Sequence, residues 1–187
     1  MANKDSAFGL RPIGKVGQNR DNQGLSEYDI AASASAIYQN DPGEMAATGT
    51  ITVAAATDTL LGSLTGVFFT DASTSKPTFA NHLEASNTAT DIKGFVADDP
   101  YERFEIQSDD ATAAADVGLN ADIVYAAGSS PNYVSKVELD HSDLKTATAQ
   151  LRVLAISKDI ENNEAGSANV NLVVMINEHF LKGTTGI

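Results

Sequence analysis

Apolar and polar residues alternate in short stretches along most of the chain, and this period of two predicts β-strands. The clearest stretch is "NVNLVVMIN", residues 169–177. Its large apolar side chains fall on one face: Val170, Leu172, Val174 and Ile176. The stretch before it, "QLRVLAISK" (150–158), is apolar on both faces except at Arg152, which is typical of a central strand. A polar segment separates the two, so together they predict a β-hairpin.

Weaker alternation predicts further strands elsewhere in the chain. In "ADIVYAAGSSPNYVSKVELD", two strand-like stretches flank turn residues 128–132 and predict a second hairpin. Other predicted strands lie in "SEYDIA", "GTITVA", "TGVFFT", "KPTFANHLEA", "DIKGFVAD" and "RFEIQ". The Ala-rich stretches "AASASA", "VAAAT" and "ATAAAD" lack the apolar spacing of an amphipathic helix, so loops or strand edges are expected there.

The organisation along the chain is simple. No repeat of fixed period is visible, and no change of composition divides residues 25–181. The sequence therefore predicts an all-β fold, a sandwich or barrel of mainly antiparallel strands with an extended N-terminal arm. We assign residues 1–24 to the arm, 25–181 to a single β domain and 182–187 to a C-terminal tail.

Composition indicates a thin core. Ala accounts for 28 residues, whereas Leu, Ile, Val and Phe together account for 43 of the 187. A core this thin favours a fold that buries more surface against a partner or against copies of itself. The chain has no Cys, so packing rather than disulfides must hold it together.

Net charge bears on the partners of the chain. It carries −13, with 12 Lys and Arg against 25 Asp and Glu, and such a surface repels phosphate backbones. No apolar run resembles a secretion signal or a membrane span. We therefore expect no direct contact with nucleic acid, no membrane association, and synthesis in a cytoplasm.

Motifs for catalysis and metal binding are weak. The match Gly9-x-x-x-x-Gly14-Lys15 has Val16 where a phosphate loop needs Ser or Thr, and Pro12 removes a backbone donor. The three histidines fall in different predicted segments without zinc-site spacing: His82, His141 and His179. Acidic turn residues that keep the surface soluble explain three acidic stretches better than calcium binding does: the pairs at 98–99 and 109–110, and "DHSD" (140–143). No catalytic, metal or cofactor site is expected.

The first 20 residues differ in charge from the rest. They hold four cations against one acid, whereas the remainder holds eight against 24. Their glycines disfavour a helix, and 20 extended residues reach about 66–72 Å. These features predict an arm that orders by lying across a neighbouring molecule. The residues expected to contact that neighbour are Phe8, Leu10, Arg11, Pro12, Ile13 and Lys15.

Several segments together resemble a family of bacteriophage virion proteins. They are "MANKDSAFGLRPIG", "GVFFTD" with "KPTFANH", "YERFEIQSDD", "VGLNADIV", "SKVELD", "QLRVLAIS" and "VVMINEHF". The chain resembles the head decoration, or cement, proteins of tailed bacteriophages of the marine type. This resemblance spans nearly the whole chain, and its motifs are structural rather than catalytic.

The resemblance implies a β-rich homotrimer on the outer surface of the capsid in the virion. Such a protein bridges neighbouring major capsid subunits, and the arm residues above are then capsid contacts. It is a structural protein and not an enzyme. Two alternatives remain open from the sequence: a tail or baseplate structural protein, and, in a different class, a small β-barrel enzyme or lyase that uses Asp and His.

Overall fold

The computed structural model of the protein describes residues 2–17 and 24–183. Its regular elements there are thirteen strands and three one-turn 3₁₀ helices. The strands are β1 (Arg11–Lys15), β2 (Ser26–Asp29), β3 (Pro42–Met45), β4 (Ile51–Val53), β5 (Leu60–Thr70), β6 (Pro77–Ala80), β7 (Lys93–Ala97), β8 (Glu102–Gln107), β9 (Asn120–Ala121), β10 (Ile123–Val124), β11 (Glu138–Leu139), β12 (Leu151–Ile156) and β13 (Asn171–Ile176). The 3₁₀ helices span Ala114–Asp116, His141–Asp143 and Phe180–Lys182. The predicted all-β fold is confirmed.

The strands form two main sheets and a ribbon. One sheet has five strands in the order β1-β8-β13-β12-β9, and the other has six, in the order β2-β7-β5-β3-β4 with β6 also paired to β5. The ribbon is β10-β11. Every pairing between these strands is antiparallel, as predicted.

Both predicted hairpins are confirmed. β12 pairs with β13, and the four alternating side chains from Val170 to Ile176 are all buried, while Arg152 is exposed. β10 pairs with β11, although each of these strands is only two residues long. The Ala-rich stretches contain loops and one 3₁₀ turn at Ala114–Asp116.

Buried apolar side chains form two separate cores. One belongs to the five-stranded sheet and includes Phe104, Leu151 and Val174. The other belongs to the six-stranded sheet and includes Leu64 and Val96. Each of these small cores needs only a few large apolar residues. A chain with so much Ala can therefore fill both cores.

The predicted arm does not extend away from its own domain. β1 pairs with β8 along the edge of the five-stranded sheet, and Leu10 lies in the core with 0% of its surface exposed. The Leu10 N–H donates to the Asn40 carbonyl at 2.9 Å, and its carbonyl accepts from the Ser63 hydroxyl. Both of these partners belong to the other sheet's part of the chain. The expectation of an arm ordered only by a neighbour is therefore wrong for residues 2–17, which we call the N-terminal segment.

Buried amides hold the start of this segment. The Gln107 and Asn162 side chains both donate to the Lys4 carbonyl, at 3.1 and 2.9 Å. The Asn162 side-chain oxygen accepts from the Lys4 N–H at 2.7 Å, and Gln107 accepts from the Ser6 N–H at 2.9 Å. A segment tethered to its own domain reaches these groups without the translational entropy that a second molecule must lose, and so it docks in cis. Residues 18–23 of the predicted arm and 184–187 of the predicted tail lie outside the described residues.

Candidate interaction surfaces

The structure divides the six predicted contact residues. Leu10 is fully buried, so the prediction that it contacts a neighbour is wrong: it is needed inside its own core. Ile13 keeps 46% of its surface exposed, and Arg11 is also exposed. Phe8, Pro12 and Lys15 are half-buried. A contact role for these five stays a prediction.

Two of the three cations of the N-terminal segment, Arg11 and Lys15, pair with acids on their own domain. Arg11 pairs with Glu105, a buried carboxylate that also accepts from the Ser157 hydroxyl. Lys15 lies 2.7 Å from Asp99, and this hydrogen bond raises the pKa of Lys15 and lowers that of Asp99. The positive charge of the segment therefore complements an acidic sheet edge of the same molecule.

Three phenylalanines form a row on the outer face of the six-stranded sheet. We call Phe68 of β5, Phe79 of β6 and Phe95 of β7 the aromatic strip. The ring centroids of Phe68 and Phe79 are 4.8 Å apart, and those of Phe79 and Phe95 are 6.1 Å apart with nearly parallel planes. Phe79 is 74% exposed. Three adjacent strands thus present a continuous aromatic surface to solvent.

Acidic side chains border the aromatic strip. Glu27 and Asp29 of β2 lie opposite Phe95 and Lys93 of β7, and opposed residues of antiparallel strands share a face. Lys93 Nζ is 3.3 Å from Glu27 and 2.6 Å from Asp29. Two residues before Lys93, Asp91 accepts hydrogen bonds from Thr70, which lower its pKa. Three acids against one lysine leave the border negative.

A groove crosses the outer face of the five-stranded sheet. Its volume is about 630 Å³. Its larger apolar lining residues are Ile13, Leu154, Ile156 and Val173, and its cations are Arg11, Arg103 and Lys158. Glu105 and Asp159 also line it. Within residues 2–17 and 24–183, neither Arg103 nor Lys158 forms an ion pair, so the groove has positive charge to offer a partner.

A second recess, of about 610 Å³, is polar. It lies between the N-terminal segment and residues 126–138, and its ionisable side chains are Asp5, Lys136 and Glu138. Burial, with the nearby charges of Asp5 and Asp109, raises the pKa of Glu138. The activation of a nucleophilic side chain by a neighbouring base needs the two groups within hydrogen-bond reach of each other. Among the described residues, these three side chains form no hydrogen bond or ion pair with one another, so no such pair is assembled.

The histidines occupy three unrelated positions. His82 stacks on Tyr133 with ring centroids 3.7 Å apart, and His141 Nδ1 is 3.3 Å from the Thr112 hydroxyl. His179 is buried, which together with the Lys182 charge lowers its pKa to about 4. In the described ranges, no three His, Cys, Asp or Glu side chains are placed to hold a metal ion. No helix in that part of the chain has the length and apolar character to span a membrane.

Asp41 gives a testable pH dependence. It is fully buried, and burial raises its pKa from 3.8 to about 6, against the nearby Ser135 side chain and a hydrogen bond from the Tyr38 N–H, both of which lower it. The folded state therefore holds a proton that the unfolded state releases. The contribution of the Asp41 carboxyl to the free energy of unfolding is complete below about pH 4 and is lost as pH rises through about 6. At about 1.4 kcal/mol per pKa unit, the loss reaches roughly 3 kcal/mol.

Asp41→Asn keeps an oxygen for the Tyr38 N–H and cannot ionise. We expect it to be more stable than the wild type at pH 8, by up to about 3 kcal/mol, and to lose this advantage by pH 4. Urea denaturation of both proteins from pH 4 to pH 8 measures the difference, in which contributions from other groups such as His179 cancel. A difference that does not change with pH would contradict the assignment.

Comparison of the chain with protein families, characterised proteins and solved structures found no match. The surfaces described above therefore carry the functional argument.

Proposed function

We propose that this protein decorates the outside of a bacteriophage head as a homotrimer, bridging neighbouring major capsid subunits. The observation that carries the proposal is the aromatic strip, in which Phe79 is 74% exposed. Contiguous exposed aromatic surface on a folded domain is typical of protein–protein contact. Such a contact supports the association of copies into a trimer, and the resemblance to head decoration proteins supplies the lattice that the trimer binds, which is formed by the major capsid protein.

The mechanism is stabilisation by mass action. A protein that binds the expanded shell and not its precursor shifts the equilibrium towards the expanded state. Because the lattice repeats the same site many times, modest affinity per copy is sufficient. A decoration protein needs a folded domain with apolar surfaces on its outside. Both sheets of this protein present such surfaces.

Co-sedimentation with phage heads tests this proposal. Purified protein is mixed with expanded heads and, as the control, with unexpanded heads built from the same major capsid protein. We expect it to sediment with expanded heads only and to raise their melting temperature. Gold-labelled particles viewed by electron microscopy should carry label on the head. Absence from heads, or label confined to the tail, would refute the proposal.

A further inference from the structure

We propose that copies of this protein join head-to-tail. The aromatic strip of one copy is seated in the groove on the five-stranded sheet of the next. The inference rests on the proposed function for its setting, a shell on which copies assemble side by side. It identifies the two surfaces through which the copies meet.

The strip supplies an apolar projection. Phe79 lies on a short strand that pairs only with β5 in the described structure, and its ring is the most exposed of the three. Rigid aromatic side chains are enriched at the centres of protein interfaces, because they bury much area for little loss of conformational freedom.

The groove supplies the matching recess. Its volume of about 630 Å³ lies within the roughly 300–1,000 Å³ range of cavities that bury small molecules, so it has room for an aromatic side chain. Ile13, Leu154 and Val173 offer apolar contact, and Arg103 and Lys158 stand beside them. Cations beside an apolar pocket can attract both the face of an aromatic ring and the acids that border the aromatic strip.

Charge selects this pairing over the alternatives. Each chain carries −13, so random contacts between copies are repulsive. Two strips face to face would oppose borders that each hold three acids against one lysine. Strip to groove instead brings these acids towards a groove with three cations against two acids, in which Arg103 and Lys158 form no ion pair within the described residues. The two surfaces lie on different sheets, and a contact between different surfaces generates a ring or a filament. Arg11 and Ile13 are thereby assigned to contact between copies, in place of the capsid contact predicted from the sequence.

Complementation between two variants of the full-length protein tests the inference. Phe79→Ser removes the strip and leaves the groove. Ile13→Asp combined with Lys158→Glu spoils the groove and leaves the strip. All three positions are exposed, so the fold should survive, as circular dichroism will verify. Tyr101→Ser is the matched control, because Tyr101 is an exposed aromatic residue outside both surfaces.

Sedimentation velocity, from micromolar to near-millimolar concentration, gives the readout. The wild type and Tyr101→Ser should form the same species, a multiple of the 19.6 kDa chain. Each surface variant alone should sediment as a monomer. An equal mixture of the two should form a species of two chains, because one intact strip then meets one intact groove.

Three results would overturn the inference: a wild type that stays monomeric throughout, a Phe79→Ser protein with wild-type mass, or a mixture that stays monomeric. Co-sedimentation of the wild type with heads separates this failure from that of the proposed function. A monomer that still binds heads leaves the function standing without the strip-to-groove contact. A wild type that forms rings but does not bind heads would support the strip-to-groove contact and refute the proposed function.

Discussion

Leu10→Ala is expected to lower the free energy of unfolding by about 2–5 kcal/mol, the usual cost of truncating a buried leucine. Leu10 has 0% of its surface exposed and packs in the core of the five-stranded sheet. The change removes three carbons from a site that hydrogen bonds to Asn40 and Ser63 hold in place, so the cavity cannot easily collapse. For a domain with a total stability of about 5–15 kcal/mol, this is a large fraction.

Val16→Ala is the matched control, since Val16 belongs to the same segment but is 53% exposed. We expect it to cost less than about 1 kcal/mol. Urea denaturation of both variants measures the difference. Equal, small losses would mean that the N-terminal segment does not pack on its own domain, and would restore the arm that the sequence predicts.

Gly9→Ala is expected to cost a similar amount, for two reasons that add. Gly9 has a φ of +73°, and a non-glycine residue in the left-handed region costs about 1–2 kcal/mol. A Cβ there would also overlap the Asn40 carbonyl oxygen and the Ser135 side chain. Overpacking of this kind adds about 1–3 kcal/mol, so we expect a loss of about 2–5 kcal/mol in all.

Gly49→Ala isolates the backbone contribution. Gly49 has a φ of +79°, and nothing lies within 4 Å of a Cβ added there. We expect Gly49→Ala to lower the free energy of unfolding by about 1 kcal/mol. The thermal midpoint of Gly9→Ala should therefore lie several degrees below that of Gly49→Ala. If the two variants melt together, the close approach of Gly9 to Asn40 and Ser135 is not present in solution.

Strands with clean alternation could be predicted from the sequence. In β13, period-two patterning and burial agree because one face packs on the core. Two of the strands that were not predicted, β1 and β3, contain residues that usually interrupt strands. β1 contains Pro12 and Gly14, and β3 begins with Pro42 and Gly43. Each forms because a neighbouring strand supplies its hydrogen bonds, which is a property of the tertiary fold.

The position of the N-terminal segment could not be predicted from its charge. Its cations complement acids, but the sequence does not say whether those acids belong to the same molecule. Glu105 lies 94 residues from Arg11. Only the pairing of β1 with β8 brings the two together, and the buried amides of Gln107 and Asn162 then fix the start of the segment.

The aromatic strip depends on sheet order in the same way. Phe68, Phe79 and Phe95 lie in three separately predicted strands. The sequence gives no reason to place β5 between β6 and β7, nor to set Phe68 opposite Phe79. The groove likewise needs β1, β8, β12 and β13 side by side. Surface complementarity between distant strands is visible only after folding.

A cryo-electron microscopy map of heads mixed with the wild-type protein tests the account most directly. We predict density on the outside of the expanded shell, with Phe79 of one copy in the groove beside Lys158 of the next and each N-terminal segment running over its own five-stranded sheet. Bare heads would contradict the proposed function. Density for residues 2–17 stretched across a neighbouring subunit would contradict the structure on which the account rests.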